Sequence, residues 1–117
     1  MKTTSERISA LLPGSQNNAA DTNMLNLLEV LPSSEIVPDP DKYYVFVYKA
    51  KSKGITYDSN PFVHVDQVFR WGFTGTNLHL GQPRRYTWGE TASNLYEVDE
   101  ADVQLVLQLP TTNIHTT

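Results

Sequence analysis

The chain has no cysteine among its 117 residues, and that one absence excludes a disulfide framework, a thiolate zinc site and a cysteine nucleophile. No window approaches the roughly 18 uncharged apolar residues that a membrane span needs. The N-terminus, Met1-Lys2-Thr3-Thr4-Ser5-Glu6-Arg7, puts an acid and a base where a signal peptide has its apolar stretch, which argues against a secreted precursor. The first 42 residues carry no aromatic side chain, while all 12 aromatics fall between Tyr43 and Tyr96. The mass for a hydrophobic core therefore sits in the middle of the chain.

Catalytic patterns are missing as well. His64, His79 and His115 are the three histidines, and none has a second ligand at a metal-motif spacing. His64 and His79 could meet across a hairpin with Asp66 as a third ligand. The simpler reading makes both half-exposed strand residues with ordinary hydrogen bonds. The glycines of Gly72-Phe73-Thr74-Gly75 lack the Gly-x-x-x-x-Gly-Lys-Ser/Thr run of a phosphate loop and are read as hairpin glycines. Asp99-Glu100-x-Asp102 suits a first helical turn better than an acid–base pair. No serine lies in a Gly-x-Ser-x-Gly elbow. The expectation is a protein that is not an enzyme, with no catalytic residue, metal, cofactor or small-molecule substrate.

What is present is β-rich. Pro32, Pro38 and Pro40 break the chain before the first strong strand and Pro110 breaks it after the last apolar run. These breaks divide it into an extended or partly helical arm (1–40), a body (41–110) and a tail (111–117). In the arm, Ser5 to Leu12 can make two helical turns, and a second helix runs from a cap at Asp21 or Thr22 to Leu31. In the body, Tyr43 to Tyr48 is apolar or aromatic at every position, which predicts a central strand covered on both faces. Lys49 to Gly54 and Tyr57 to Pro61 predict turns. Phe62 to Phe69 is the next strand, with a bulge at Asp66-Gln67 where the alternation slips. Trp71 to Gly75 reverses the chain into Thr76 to Leu80, and Arg85 to Trp88 and Leu95 to Val98 are short edge strands. Asp99 caps a C-terminal helix with Val103, Val106 and Leu107 on its apolar stripe. The sum is a mainly β (α+β) fold: a small antiparallel, partly open barrel, SH3-like first and OB-like second, with a C-terminal helix.

The net charge of -4 conceals a division. From Lys42 to Arg85 there are seven bases against two acids; up to Asp41 two bases face six acids, and from Tyr86 onward there are five acids and no base. Lys49, Lys51, Lys53, Arg70, Arg84 and Arg85 are thus candidates for an anionic-partner surface. A basic, aromatic-bearing face could hold nucleic acid. No RNP motif, helix-turn-helix pattern or zinc-finger spacing supports that. The arm offers a different surface: Leu11, Leu12, Leu25, Leu28 and Leu31 form apolar stripes suited to docking on a partner.

Tyr44-Val45-Phe46-Val47-Tyr48-Lys49-Ala50-Lys51, then Tyr57-Asp58-Ser59-Asn60-Pro61-Phe62-Val63, then Gly72-Phe73-Thr74-Gly75-Thr76-Asn77-Leu78-His79 resemble in their order a pattern of small structural proteins of tailed bacteriophages, including contractile-tailed T4-like and cyanobacterial ones. Arg85-Tyr86-Thr87-Trp88 resembles a further element of it. The resemblance covers Tyr43 to Trp88 and carries over no catalytic residue. It implies a virion component of the tail, baseplate or neck, assembled in the host cytoplasm. In that setting the arm would bind other virion proteins in a multi-copy assembly, and nucleic-acid binding is the alternative.

Overall fold

The computed structural model describes residues 3–12, 24–32, 34–51, 53–54, 56–91, 94–111 and 114–116. Its strands are β1 (Ser34–Glu35), β2 (Tyr43–Val45), β3 (Thr56–Asp58), β4 (Phe62–Val68), β5 (Gly72–Asn77), β6 (Gln82–Thr87), β7 (Leu95–Val98) and β8 (Ile114–Thr116). Six of them form one antiparallel sheet, ordered β1-β7-β2-β4-β5-β6, that does not close on itself; β3 and β8 pair separately. The helices are short: α1 (Thr4–Ser9), α2 (Met24–Leu27), and α3 (Val103–Val106) behind a 3-10 turn at Glu100–Asp102.

Because side chains alternate along a strand, the apolar run that begins at Tyr43 feeds both faces of the sheet. Val45 joins a cluster with Ile8, Met24, Leu27, Leu31, Phe62, Val98, Val103, Val106 and Leu109. Tyr44, Phe46 and Tyr48 join a second cluster with Ala50, Val63, Val65, Phe73, Tyr86 and Leu95. The ladder ends at Val45, yet the alternation continues: Phe46 and Tyr48 are buried while Val47 is exposed. Tyr48 N–H donates to the Ser59 carbonyl (2.9 Å), so the chain beyond β2 bonds a turn and not a strand. Phe46 meets Tyr86 edge-on at 5.4 Å and Tyr48 meets Tyr86 edge-on at 4.9 Å. Each such contact is worth about 0.5–1.5 kcal/mol beyond the area it buries.

The sheet bends where the alternation slips, at a register shift between Val65 and Gln67 in the β4–β5 ladder. The reversal after β4 is tighter and earlier than the sequence suggests, closed by Phe69 N–H to the Gly72 carbonyl at 2.7 Å. Gly72 and Gly75 therefore lie inside β5 and not in a turn, and close packing is what requires glycine there. A Cβ at Gly75 would stand 2.5 Å from Val63 Cγ1 and 2.6 Å from the His64 carbonyl, and one at Gly72 would collide with the Tyr86 carbonyl. β7 is also not an edge: it runs between β1 and β2. The expected turn at Tyr57-Asp58 belongs to β3, and the chain turns only after it.

The described part of the arm lies on this sheet. Thr3 caps α1 in a reciprocal capping box with Glu6, Ser5 Oγ donates to Asp102 Oδ1, and Ile8 is buried. Met24 N–H donates to the Pro110 carbonyl at 3.2 Å. α2 is four residues long, and its expected cap at Asp21 or Thr22 lies outside the described residues. Asp99 does flank the C-terminal helical turns, with no side-chain capping bond.

Candidate functional site

The Tyr57–Val63 and Gly72–His79 segments meet in a buried polar knot. Asn77 Nδ2 donates to Asp58 Oδ2 at 2.8 Å, and Asn77 Oδ1 accepts from the backbone N–H of His79 (3.0 Å) and Leu80 (3.1 Å). Asn60 Nδ2 donates to the Phe46 carbonyl at 3.2 Å. His79 Nε2 lies 3.1 Å from the Leu109 carbonyl; since a carbonyl only accepts, that nitrogen carries the proton. Burial pushes the Asp58 carboxyl above its ordinary range, with the Asn77 bond opposing. Asp58 is 1% and Asn77 3% exposed. The knot ties β3, the end of β5 and the C-terminal turns together, a structural task.

A second buried carboxylate secures the loop after β2. Glu90 Oε2 accepts from Lys51 N–H (2.8 Å), and Oε1 accepts from the Thr87 hydroxyl (2.9 Å) and Thr87 N–H (3.2 Å). Burial alone would raise this carboxyl, but these bonds outweigh it and hold the pKa low. Nearby, burial pushes the Tyr48 hydroxyl up to about 12.

The six basic candidates do not converge. Lys49, Lys51 and Lys53 are exposed on the loop after β2. Arg84, half-buried on β6, donates through one guanidinium nitrogen to the Thr56 carbonyl and to Gln82 Oε1, each at 2.8 Å. Arg70 and Arg85 gather instead around the turn between β4 and β5. There Phe69 and Trp71 stack at 5.2 Å with an 8° interplanar angle, and the Arg85 guanidinium lies 4.7 Å from the Trp71 ring centroid. Trp88 Nε1 donates to the Arg70 carbonyl at 2.7 Å and braces the turn. Phe69 is 39% and Trp71 38% exposed. A groove of about 480 Å3 beside them is lined by Tyr48, Asp66, Thr74, Gly75, Pro83, Arg84 and Arg85.

A second exposed apolar pair, Ile36 and Val37, follows β1. Sequence reasoning passed over both pairs. The available signal was an aromatic-base-aromatic triplet at a turn and an isoleucine-valine pair between acids and prolines.

The remaining candidates are placed as follows. Leu31 is buried in the cluster it shares with Val45 and Phe62, with Leu11, Leu12 and Leu28 packed partly buried against it. Leu25 lies in α2, and its side chain is outside the described residues. His64 and His79 do not share a ligand. The His64 ring sits 3.8 Å from Asp41 Oδ1 and 3.6 Å from Asp66 Oδ1, whereas His79 turns to Leu109; the His115 side chain is outside the described residues. Among the described residues, no three histidine, aspartate or glutamate side chains are placed to hold a metal ion, and no helix is long and apolar enough to cross a membrane. No family model, curated protein or solved structure matches the chain.

Proposed function

We propose that the protein is a bacteriophage virion structural protein, a small tail, baseplate or neck component that works by binding its neighbours and performs no chemistry. The observation that carries this reading is the pair of apolar surface patches, Ile36 with Val37 and Phe69 with Trp71, on a body whose Asp58 and Glu90 carboxylates are buried. The strand, turn and hairpin pattern from Tyr43 to Trp88 supplies the phage context. For the fold our reading is a partly open barrel, SH3-like first and OB-like second; the bulge at Val65/Gln67, which bends the open sheet, supports the partly open barrel. The arm contributes through the outward parts of Leu11, Leu12 and Leu28, since Leu31 is enclosed by the chain's own core.

Mass spectrometry of purified virions is the test: the protein should appear in stoichiometric, multi-copy amounts, and its absence from particles would overturn the reading. The Arg85–Trp71 contact favours one second reading, a phage-encoded nucleic-acid-binding protein. Binding to phosphates would weaken steeply between low and moderate salt, which an apolar protein contact would not.

A further inference from the structure

We propose that the Glu35–Asp39 segment of one copy docks on the Phe69–Trp71 turn of a second copy, head to tail. The proposal deepens the assembly reading and rests on it for the biological setting, while the association itself is a property of the purified chain.

The two surfaces are inverse in chemistry. The segment offers Ile36, 77% exposed, and Val37, 54% exposed, between the acids Glu35 and Asp39. The turn offers two stacked rings among the bases Arg70 and Arg85. Apolar side chains can therefore meet apolar rings while carboxylates meet guanidinium groups.

Both surfaces are held in shape before they meet, which lowers the entropy cost of docking. The Tyr44 hydroxyl donates to Glu35 Oε2 (3.2 Å) and accepts from Asp39 N–H (2.9 Å), and Pro38 between them is buried. That clamp leaves Ile36 and Val37 facing outward. Negative charge is crowded beside it: Lys42 pairs with both Asp39 (3.4 Å) and Glu97 (3.6 Å). Burial first and the neighbouring Glu97 carboxyl second hold Glu35 above its ordinary range. The turn is fixed by its backbone bond and by Trp88.

One chain cannot satisfy itself, because β7 and β2 stand between β1 and β4 in the sheet. The contact must join different copies through unlike surfaces, and repetition of such a contact makes a ring or a filament. Two other occupants fit less well. A nucleic acid would find Arg70 and Arg85 at the turn but Arg84 already engaged. An added strand on β6 would meet Pro83, Arg84 and Arg85, residues that protect an edge.

Sedimentation velocity of the full chain at low salt tests the idea. The wild type should form concentration-dependent oligomers. Phe69→Ser with Arg70→Glu, and separately Ile36→Arg with Val37→Ser, should each weaken self-association at least tenfold while the chain still melts in one cooperative transition. The segment variant should melt at the wild-type temperature because Ile36 and Val37 are exposed, and the turn variant a few degrees lower because it loses the Phe69–Trp71 stack. Mixing the two variants should restore association but stop at heterodimers, because each mixture keeps one intact turn and one intact segment. A wild type that stays monomeric at every concentration, variants that associate normally, or a mixture that does not pair would each overturn the proposal. So would turn-dependent binding of a thymidine 30-mer by a chain that does not self-associate. Absence from virions with head-to-tail pairing intact would overturn the assembly reading alone.

Discussion

The two faces of the sheet are built from different materials and different stretches of chain. The aromatic face draws Tyr44, Phe46, Tyr48, Phe73 and Tyr86 from the middle of the sequence, where strands joined by turns bring them together. The other face is almost wholly aliphatic and takes its residues from both ends, from Ile8 to Leu109. The aromatic residues themselves all lie between Tyr44 and Tyr86, on or next to strands of the contiguous run β2-β4-β5-β6. The aliphatic cluster waits on long-range closure by the arm and the C-terminal turns, whose contacts carry the larger loop entropy.

The largest expected effect is on the aromatic face. Gly72→Ala would drive a Cβ into the Tyr86 backbone, and since backbone cannot move aside as a side chain can, a loss of about 3 kcal/mol or more is expected. Urea denaturation would check it; a cost below about 1 kcal/mol would show that β5 and β6 can separate without unfolding the face.

Next comes the aliphatic face. Leu27→Ala, at a fully buried position, should destabilise the isolated protein by about 2 to 4 kcal/mol. Leu28→Asp with Leu31→Asp should likewise lower its melting temperature. An unchanged melting curve for either would mean that the arm leaves the sheet in solution, and would return those leucines to assembly contacts only.

A smaller effect, with a pH signature, belongs to Glu90. Its folded pKa lies below the ordinary 4.5, so its contribution is present above that value and fades as pH falls through the folded pKa. Glu90→Gln should cost about 1 to 2 kcal/mol at neutral pH, and the gap between variant and wild type should narrow in acid. Asp58 acts in the opposite sense. Its folded pKa lies above the ordinary 3.8, so its ionisation removes stability as pH rises from 3.8 through the folded value. Paired melts from pH 3 to 7 would separate the two.

The smallest effect is expected at His64. Its ring faces the exposed carboxylates of Asp41 and Asp66 at 3.8 and 3.6 Å, and such surface pairs contribute about 0.5 kcal/mol or less. A His64→Gln cost well above 1 kcal/mol would reveal a tighter role for that face than its exposure suggests.

By itself the sequence determined the strand-rich middle, because the apolar and aromatic run that opens at Tyr43 favours a strand covered on both faces, although the ladder it forms ends at Val45 and leaves Val47 exposed. It also determined the bulge, since a slipped alternation at Asp66-Gln67 must be absorbed somewhere in the ladder, and the C-terminal helical turns after Asp99. Only the tertiary structure decided the rest. β1 and β8 are short pairings between distant segments, and no local period announces them. Gly72 and Gly75 look alike in a turn or a strand until a neighbouring backbone is placed against them. The arm leucines show the same apolar stripe whether they cover a partner or the chain's own sheet, and the packing around Val45 and Phe62 places Leu31 on the latter. Exposure of Phe69 and Trp71 was hidden for the same reason: a side chain's hydrophobicity is local, but whether anything remains to cover it depends on where every other segment has gone.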